Sequence, residues 1–307
     1  MHIRYGVIGT GALGGFYGGM LARAGREVHF LLRSDYEYVR KNGLRIDSVM
    51  GDFRLPAVNA YATADAMPEC DVILVCVKTT ENNNLPDLLQ PLLRPGSVAL
   101  LLQNGLGAEE DLAARLPEIE IAGGLAFICS QKKGPGHIRH LDYGKLDIGS
   151  YNVKNAAFLN SIIDDFHAAE ISADLSKDLR FARWRKLVWN IPLNGLTVVM
   201  NTTTDRLIAD GYMRRLVWEI MLEVIYGANR CGIIGLNESL AQKMIDMTMR
   251  MIPYAPSMKL DYDNRRPMEI EYIYSRPIEA AARAGFDMPK IVMLESQLRF
   301  IGNETRQ

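Results

Sequence analysis

No stretch of the 307-residue chain approaches the roughly eighteen uninterrupted apolar residues of a membrane helix, and there is no low-complexity tract, tail of like charges or internal repeat. Cysteine is scarce. Cys70, Cys76, Cys129 and Cys231 are widely scattered, with no C-x-x-C pair, which excludes a disulfide framework and a cysteine-rich metal site. Cys70 and Cys76 fall in or beside an apolar strand pattern, where a free thiol behaves as a small core residue, so a reduced, cytoplasmic setting is expected. A formal net charge of -1 gives no reason to expect nucleic acid or a membrane surface as partner. There is no G-x-S-x-G nucleophile motif. His137-x-x-His140 lies on an expected strand, where positions three apart point to opposite faces, and no cysteine or acidic cluster completes a metal site. What remains is an ordinary globular chain, long enough for two domains.

Glycine, by contrast, is concentrated near the start, with seven between Gly6 and Gly19. Arg4, a mildly apolar run and Ala22-Arg23-Ala24 could together read as a secretory signal, but so many glycines suit a phosphate loop better than a helical signal core. The strand-like Tyr5-Gly6-Val7-Ile8 runs into Gly9-Thr10-Gly11-Ala12-Leu13-Gly14, a helical pattern follows, and Val28-His29-Phe30-Leu31-Leu32-Arg33 reads as a second strand. This is G-x-G-x-x-G in strand–turn–helix–strand context: Gly9 for the tight turn, Gly11 for close approach of a pyrophosphate, Gly14 for helix-to-strand packing. The phosphates would sit at the helix N-terminus. The residue that ends the second strand reads the cofactor ribose, and here it is Arg33, nineteen residues after Gly14 and followed by Ser34. A guanidinium suits the 2′-phosphate of NADP, where an acidic residue would suit the 2′-hydroxyl of NAD. NADP(H) is therefore the expected cofactor, although Asp35 lies two residues on, in the expected first turn of the next helix.

Strand and helix patterns alternate through the first half. A polar helical stretch covers Ser34 to Asn42, and strands are expected at Leu44–Asp47 and Phe53–Ala60. Val72–Val77 is a continuous apolar run, the signature of a strand buried on both faces of a parallel sheet, with a helical pattern after it to Leu93. Val98–Leu102 follows the Pro95-Gly96 turn. Further strands are expected at Ile119–Ile128, His137–Leu141 and Lys145–Gly149, the last two as a hairpin across Asp142-Tyr143-Gly144. From about Ser176 the pattern is helical, with all three tryptophans (Trp184, Trp189, Trp218). The expected fold is α/β: an N-terminal Rossmann-like doubly wound sheet (residues 1–176, binding NADP) and an all-helical C-terminal substrate and catalytic domain (177–307). The Met-rich segment 244–251 has the spacing of core or subunit-interface packing, so a homodimer is allowed without being required.

Lys186, Asn190 and Asn194 recur every fourth residue, which places them on one face of a continuous helix among apolar neighbours. A polar stripe in such surroundings is costly unless its members find partners. A solvated face is the plain alternative to a lysine that supplies a proton beside amides that orient a polar substrate. Pro192 predicts a kink or break near Val188–Pro192. Pro267 can start a helix, with Glu269 in its first turn and Glu271 pointing well away from it.

Together these pieces resemble the ketopantoate reductase family over nearly the whole chain. The match takes in the glycine loop and Arg33, Val77-Lys78-Thr79, Gln103-Asn104-Gly105-Leu106-Gly107 and Gly136-His137-Ile138 with Gly149. It continues through Trp184-Arg185-Lys186-Leu187, Asn190, Asn194, Ser257-Met258 and Glu269-Ile270-Glu271-Tyr272. The resemblance implies NADPH-dependent reduction of a 2-oxo acid in a cleft between the two domains, in pantothenate biosynthesis. By the same resemblance Lys186 is the general acid and Glu269 holds the substrate hydroxyl. Asn190, Asn194 and Ser257 orient the oxo acid, and Lys78 and Asn104 line the cofactor alongside Gly9, Thr10, Gly11, Ala12, Leu13, Gly14 and Arg33. Four places depart from the family pattern: Tyr254 and Thr204 stand where asparagines are usual, Tyr274-Ser275 where Asn-Gly is usual, and Gly195 where a proline follows the second helical asparagine. These lie on the substrate side, so another branched or hydroxylated 2-oxo acid is an alternative substrate. A regulatory protein that senses NADPH without turnover is a third reading, which retention of Lys186 and Glu269 disfavours.

Overall fold

The computed structural model describes residues 2–304, with Glu304 by its backbone alone. Short runs that are apolar on both faces build the centre of a sheet: β1 (Arg4–Ile8), β6 (Val72–Val75) and β7 (Val98–Leu101) are almost wholly buried. Around them lie β2 (Glu27–Leu31), β3 (Leu44–Ser48), β4 (Phe53–Leu55), β5 (Asn59–Tyr61), β8 (Glu120–Gly134), β9 (His137–Ser150) and β10 (Ala173–Leu175). The order is β4-β3-β9-β8-β7-β6-β1-β2-β5, with β10 beside β9. From β8 through β5 every pairing is parallel, as crossover connections require. The helices of this region are α1 (Ala12–Arg23), α2 (Tyr36–Asn42), α3 (Leu85–Leu89), α4 (Ala108–Arg115) and α5 (Ala156–Ala168). Its core joins Val7, Phe16, Tyr17 and Met20 to Phe30, Leu74, Leu100, Ile138 and Phe166.

Three local expectations are corrected. The hairpin does not turn at Asp142-Tyr143-Gly144. Antiparallel β8 and β9 are both long and connect near Gly134–Gly136, with Gly134 paired to His137. Tyr143 (φ 61°) and Gly144 (φ 122°) form a bulge inside β9: Phe127 pairs with Lys145 and Ile128 with Tyr143, leaving Gly144 as the extra residue. The buried His140 ring holds this bulge through its Nε2, 3.1 Å from the Asp142 carbonyl and 3.0 Å from that of Tyr143. Second, 53–60 is not one strand. Pro56 follows β4, which pairs antiparallel with β3, whereas β5 pairs parallel with β2 at the far edge of the sheet. Third, the helical pattern after β6 is split into α3 flanked by 3₁₀ turns at Thr79–Asn84 and Gln90–Leu92.

Beyond residue 175 no strand occurs among the described residues. The helices are α6 (Leu179–Val199), α7 (Thr204–Ala209), α8 (Gly211–Arg230), α9 (Glu238–Arg250), α10 (Ser257–Asp263), α11 (Arg276–Arg283) and α12 (Pro289–Glu304), with a π-helical turn at Glu271–Ser275 running into α11. Helix α6 is the central helix: every residue from 190 to 198 is buried. It runs on through Pro192 without a break, so of the expected kink or break, the break does not occur. Proline removes one ladder hydrogen bond and crowds the preceding turn at a cost of about 3 kcal/mol, and burial all round keeps the helix together despite it. The chain divides into two compact units, Met1–Gln103 with Ala108–Leu179, and Asn104–Gly107 with Arg180–Gln307. No helix among the described residues is long and apolar enough to cross a membrane.

Candidate active site

The glycine loop caps the carboxyl end of β1. Gly9 takes φ 89°, and a Cβ there would lie 2.5 Å from the Val77 backbone nitrogen. A Cβ on Gly14 would overlap the Gly9 carbonyl and come 2.9 Å from Val7 Cγ1. These two glycines let α1 start directly against the sheet. Gly11 is different: a Cβ would meet nothing within 4 Å. Glycine here is required by no protein neighbour, so the space fits an external group such as a pyrophosphate. Gly11 is also the N-cap of α1, where no side chain caps the helix, and a helix N-terminus so presented is a ready anion site. Thr10 Oγ1 ties the loop to the end of β2 by donating to the Leu31 carbonyl at 2.9 Å. Ala12 and Leu13 form the first turn of α1.

Arg33 lies just past β2 with its side chain 90% exposed and Nη1 3.8 Å from Glu81 Oε2. Asp35 is the N-cap of α2 rather than part of its first turn, and it is buried and already engaged. Lys132 Nζ sits 2.7 Å from its carboxylate, the Gly136 N–H donates at 2.9 Å and the Ser34 hydroxyl at 3.1 Å. The Asp35 carboxylate is thus neutralised within the fold, and Glu81 is a second carboxylate beside the Arg33 guanidinium. Lys78 is half-buried at the start of the 3₁₀ turn after β6. The sequence assigned Gln103 no role of its own, yet its Nε2 donates to the Val77 carbonyl at 2.9 Å and to Asn82 Oδ1 at 2.7 Å, which fixes the loop that carries Lys78. A buried amide directly after a fully apolar strand was the signal for it. The next residue, Asn104, begins the short loop grouped with the helical unit. In that loop the Leu106 N–H donates to the Tyr272 carbonyl at 2.9 Å, and Gly105 at φ 99° packs so close that a Cβ would lie 2.5 Å from the same oxygen.

In the helical unit α6 carries Lys186, Asn190 and Asn194 on successive turns, all buried. Asn194 Oδ1 is buried and makes no hydrogen bond among the described residues. An unsatisfied buried acceptor costs about 1–3 kcal/mol, which a ligand that donates a hydrogen bond would offset. Glu269 precedes the helix that Pro267 was expected to start: helical structure begins at Ile270, so Glu269 is not in a first turn. It is buried, whereas the Glu271 side chain is 50% exposed and pairs with Arg276 and Arg299, each at 3.4 Å. Ser257, partly buried, is the first residue of α10. Tyr254 and Thr204 meet: the Tyr254 carbonyl accepts the Thr204 backbone N–H at 3.2 Å and its hydroxyl at 3.1 Å. A cavity of about 240 Å³ between α8 and α9, lined by Arg214, Arg215, Trp218 and Gln242, contains none of these residues. His137 and His140 bond separately, to Asp47 at 2.8 Å and to Ser48 at 2.8 Å, and no metal-binding cluster occurs among the described residues.

The family model for ketopantoate reductase PanE/ApbA matches residues 5–153, and that for its C-terminal part matches residues 178–302. The chain belongs to the ketopantoate reductase family. Like that family it is an oxidoreductase with a Rossmann-like N-terminal and a helical C-terminal region. It is 48% identical over 308 residues to a 2-dehydropantoate 2-reductase of Nostoc sp., covering 99% of this chain and 96% of that one. The crystal structure of the 2-dehydropantoate 2-reductase from Geobacter metallireducens GS-15 superposes with a TM-score of 0.94 at 40% identity, covering 97% and 99% of the two chains. A ternary structure of D-mandelate dehydrogenase with NADH and anilino(oxo)acetate shares the fold (TM-score 0.89, 99% and 100% covered) at 19% identity.

Proposed function

We propose that this ketopantoate reductase family member catalyses the NADPH-dependent reduction of 2-dehydropantoate to pantoate. The observation that carries the reading is the buried stripe on α6, where Lys186 lies on the same helix face as Asn190 and an Asn194 amide oxygen without a partner. A proton donor beside an acceptor in want of a donor suits a substrate with both a carbonyl to be protonated and a hydroxyl to be held.

Bound NADPH would supply a hydride to the oxo carbon. As the carbon–oxygen double bond becomes a single bond, charge gathers on the oxygen. Lys186 stabilises that charge from hydrogen-bond distance, roughly 3 Å, and transfers a proton to complete the alcohol. Asn190, Asn194 and Ser257 orient the oxo acid, and Glu269 accepts a hydrogen bond from its hydroxyl. Gly9 to Gly14 would cradle the pyrophosphate, Lys78 and Asn104 would hold the cofactor's ribose and nicotinamide edge, and Arg33 would pair with the 2′-phosphate. Asp35 is held by Lys132 and the Gly136 amide, and the phosphate would have to replace only the exposed 3.8 Å contact of Arg33 with Glu81.

The test is NADPH oxidation followed with a panel of 2-oxo acids that includes 2-dehydropantoate and analogues without its hydroxyl. Turnover is expected to be fastest with 2-dehydropantoate. Binding of NADPH with no turnover of any oxo acid would overturn the assignment and leave a nucleotide sensor.

A further inference from the structure

Two of the positions that depart from the family pattern touch each other inside α6. Tyr274 is fully buried, its hydroxyl donates to the Ile191 carbonyl at 2.9 Å, and its phenol oxygen lies against Gly195. In a regular α-helix the carbonyl of residue 191 and the N–H of residue 195 bond to each other. Here a phenol adds its own hydrogen bond to that carbonyl, a bridge from the π-helical turn to α6. A side chain inserted into the ladder is one of the recognised causes of a local change in helix direction. The bridge needs glycine at 195, because a Cβ there would lie 2.7 Å from the phenol oxygen. It falls three residues from Pro192, which already removes the ladder bond to the Val188 carbonyl. The turn of α6 between Asn190 and Asn194, weakened at Pro192, is thus braced by a tertiary hydrogen bond to the Ile191 carbonyl.

The other end of the phenol is fixed as well. Tyr274 lies in the π-helical turn Glu271–Ser275, whose wider winding directs this side chain toward α6. Next to it, Ser275 Oγ donates to Glu295 Oε1 of α12 at 2.5 Å and accepts from Arg299 at 2.7 Å. On the opposite side the Tyr272 carbonyl holds the Asn104–Gly107 loop through Leu106. Glu269 stands two residues before this turn in the chain. One short segment therefore links Glu269, the Asn104 loop and the asparagine face of α6.

We propose that Tyr274 is a positioning residue: its hydroxyl, bonded to the Ile191 carbonyl and seated against Gly195, sets the α6 turn that aims Asn190 and Asn194 at the oxo-acid substrate. The role rests on the reductase reading above. Tyr274→Phe removes one oxygen and keeps the ring packing. It is expected to raise KM for the hydroxylated oxo acid about tenfold, to change kcat less and to leave NADPH affinity unchanged, since lost ground-state orientation shows in KM. Gly195 amide hydrogen exchange is expected to accelerate in the same variant. In a second variant, Gly195→Ala, the new methyl group displaces the phenol. Alone it is expected to cost at least about tenfold in kcat/KM, and no more than about threefold in the Tyr274→Phe background, where the two substitutions share one interaction. A Tyr274→Phe enzyme that melts earlier but keeps the wild-type KM, or independent effects of the two substitutions, would overturn the role. Failure of the wild-type protein to turn over any oxo acid would overturn the reductase reading and this role with it.

Discussion

Gly11 and Gly14 stand three residues apart in one motif, yet replacing each by alanine should break different things. At Gly14 the added carbon meets the Gly9 carbonyl and Val7 Cγ1, both fixed by the sheet. Helix α1 must move, and overpacking of this kind costs about 1–3 kcal/mol. At Gly11 nothing lies within 4 Å, and the backbone (φ -91°, ψ -148°) lies just past the edge of the extended region, so alanine meets no neighbour and should cost only a backbone adjustment of about 1 kcal/mol. The methyl group then occupies space available to a phosphate. Losing one charge-assisted contact to a backbone N–H is worth about 1.5–3 kcal/mol, or a factor of about ten to a hundred in Kd. Calorimetric titration with NADPH and thermal melting separate the two effects. Gly11→Ala should melt closer to the wild type and bind weakly, whereas Gly14→Ala should melt early. Wild-type NADPH affinity in a folded Gly11→Ala protein would refute the reasoning that places the pyrophosphate over this glycine.

On the proposed cofactor assignment, Arg33→Asp should lower kcat/KM for NADPH at least about tenfold relative to NADH, the scale of one lost charge-assisted pair; equal use of both cofactors by the wild type would contradict it. Glu27 on β2 accepts hydrogen bonds from His29 and Arg4, and these partners hold its carboxyl down to about 2. A carboxylate with a depressed native pKa stabilises the fold above its ordinary value of about 4.5 and loses that contribution as pH falls toward 2. Urea unfolding across this range should therefore show a steeper acid loss of stability in the wild type than in Glu27→Gln, and parallel curves would remove Glu27 as the cause.

What could be read from the residues was whatever depends on near neighbours in the chain. The continuous apolar runs of β1, β6 and β7 declared strands buried on both faces, and the four-residue spacing of Lys186, Asn190 and Asn194 declared one face of a helix. Errors arose where a distant partner decided the outcome. Tyr143-Gly144 has the composition of a turn, but pairing with β8 and the His140 ring make it a bulge within a long strand. Pro192 argues for a break in isolation, and complete burial of the surrounding helix carries α6 through it. The departures from the family pattern looked like four separate changes. In the structure Thr204 bonds to Tyr254, and Gly195 makes room for Tyr274, which donates to a carbonyl 83 residues away in sequence. Contacts at such separation leave no periodic trace in a sequence.

The central claim is that Lys186 delivers the proton in an oxo-acid reduction, and single-turnover kinetics of 2-dehydropantoate with NADPH test it most directly. General acid catalysis contributes about 10²–10⁴-fold. Lys186→Ala is therefore expected to bind NADPH as the wild type does and to reduce the oxo acid at least about a hundredfold more slowly. A Lys186→Ala protein that reduces 2-dehydropantoate at close to the wild-type rate would contradict it.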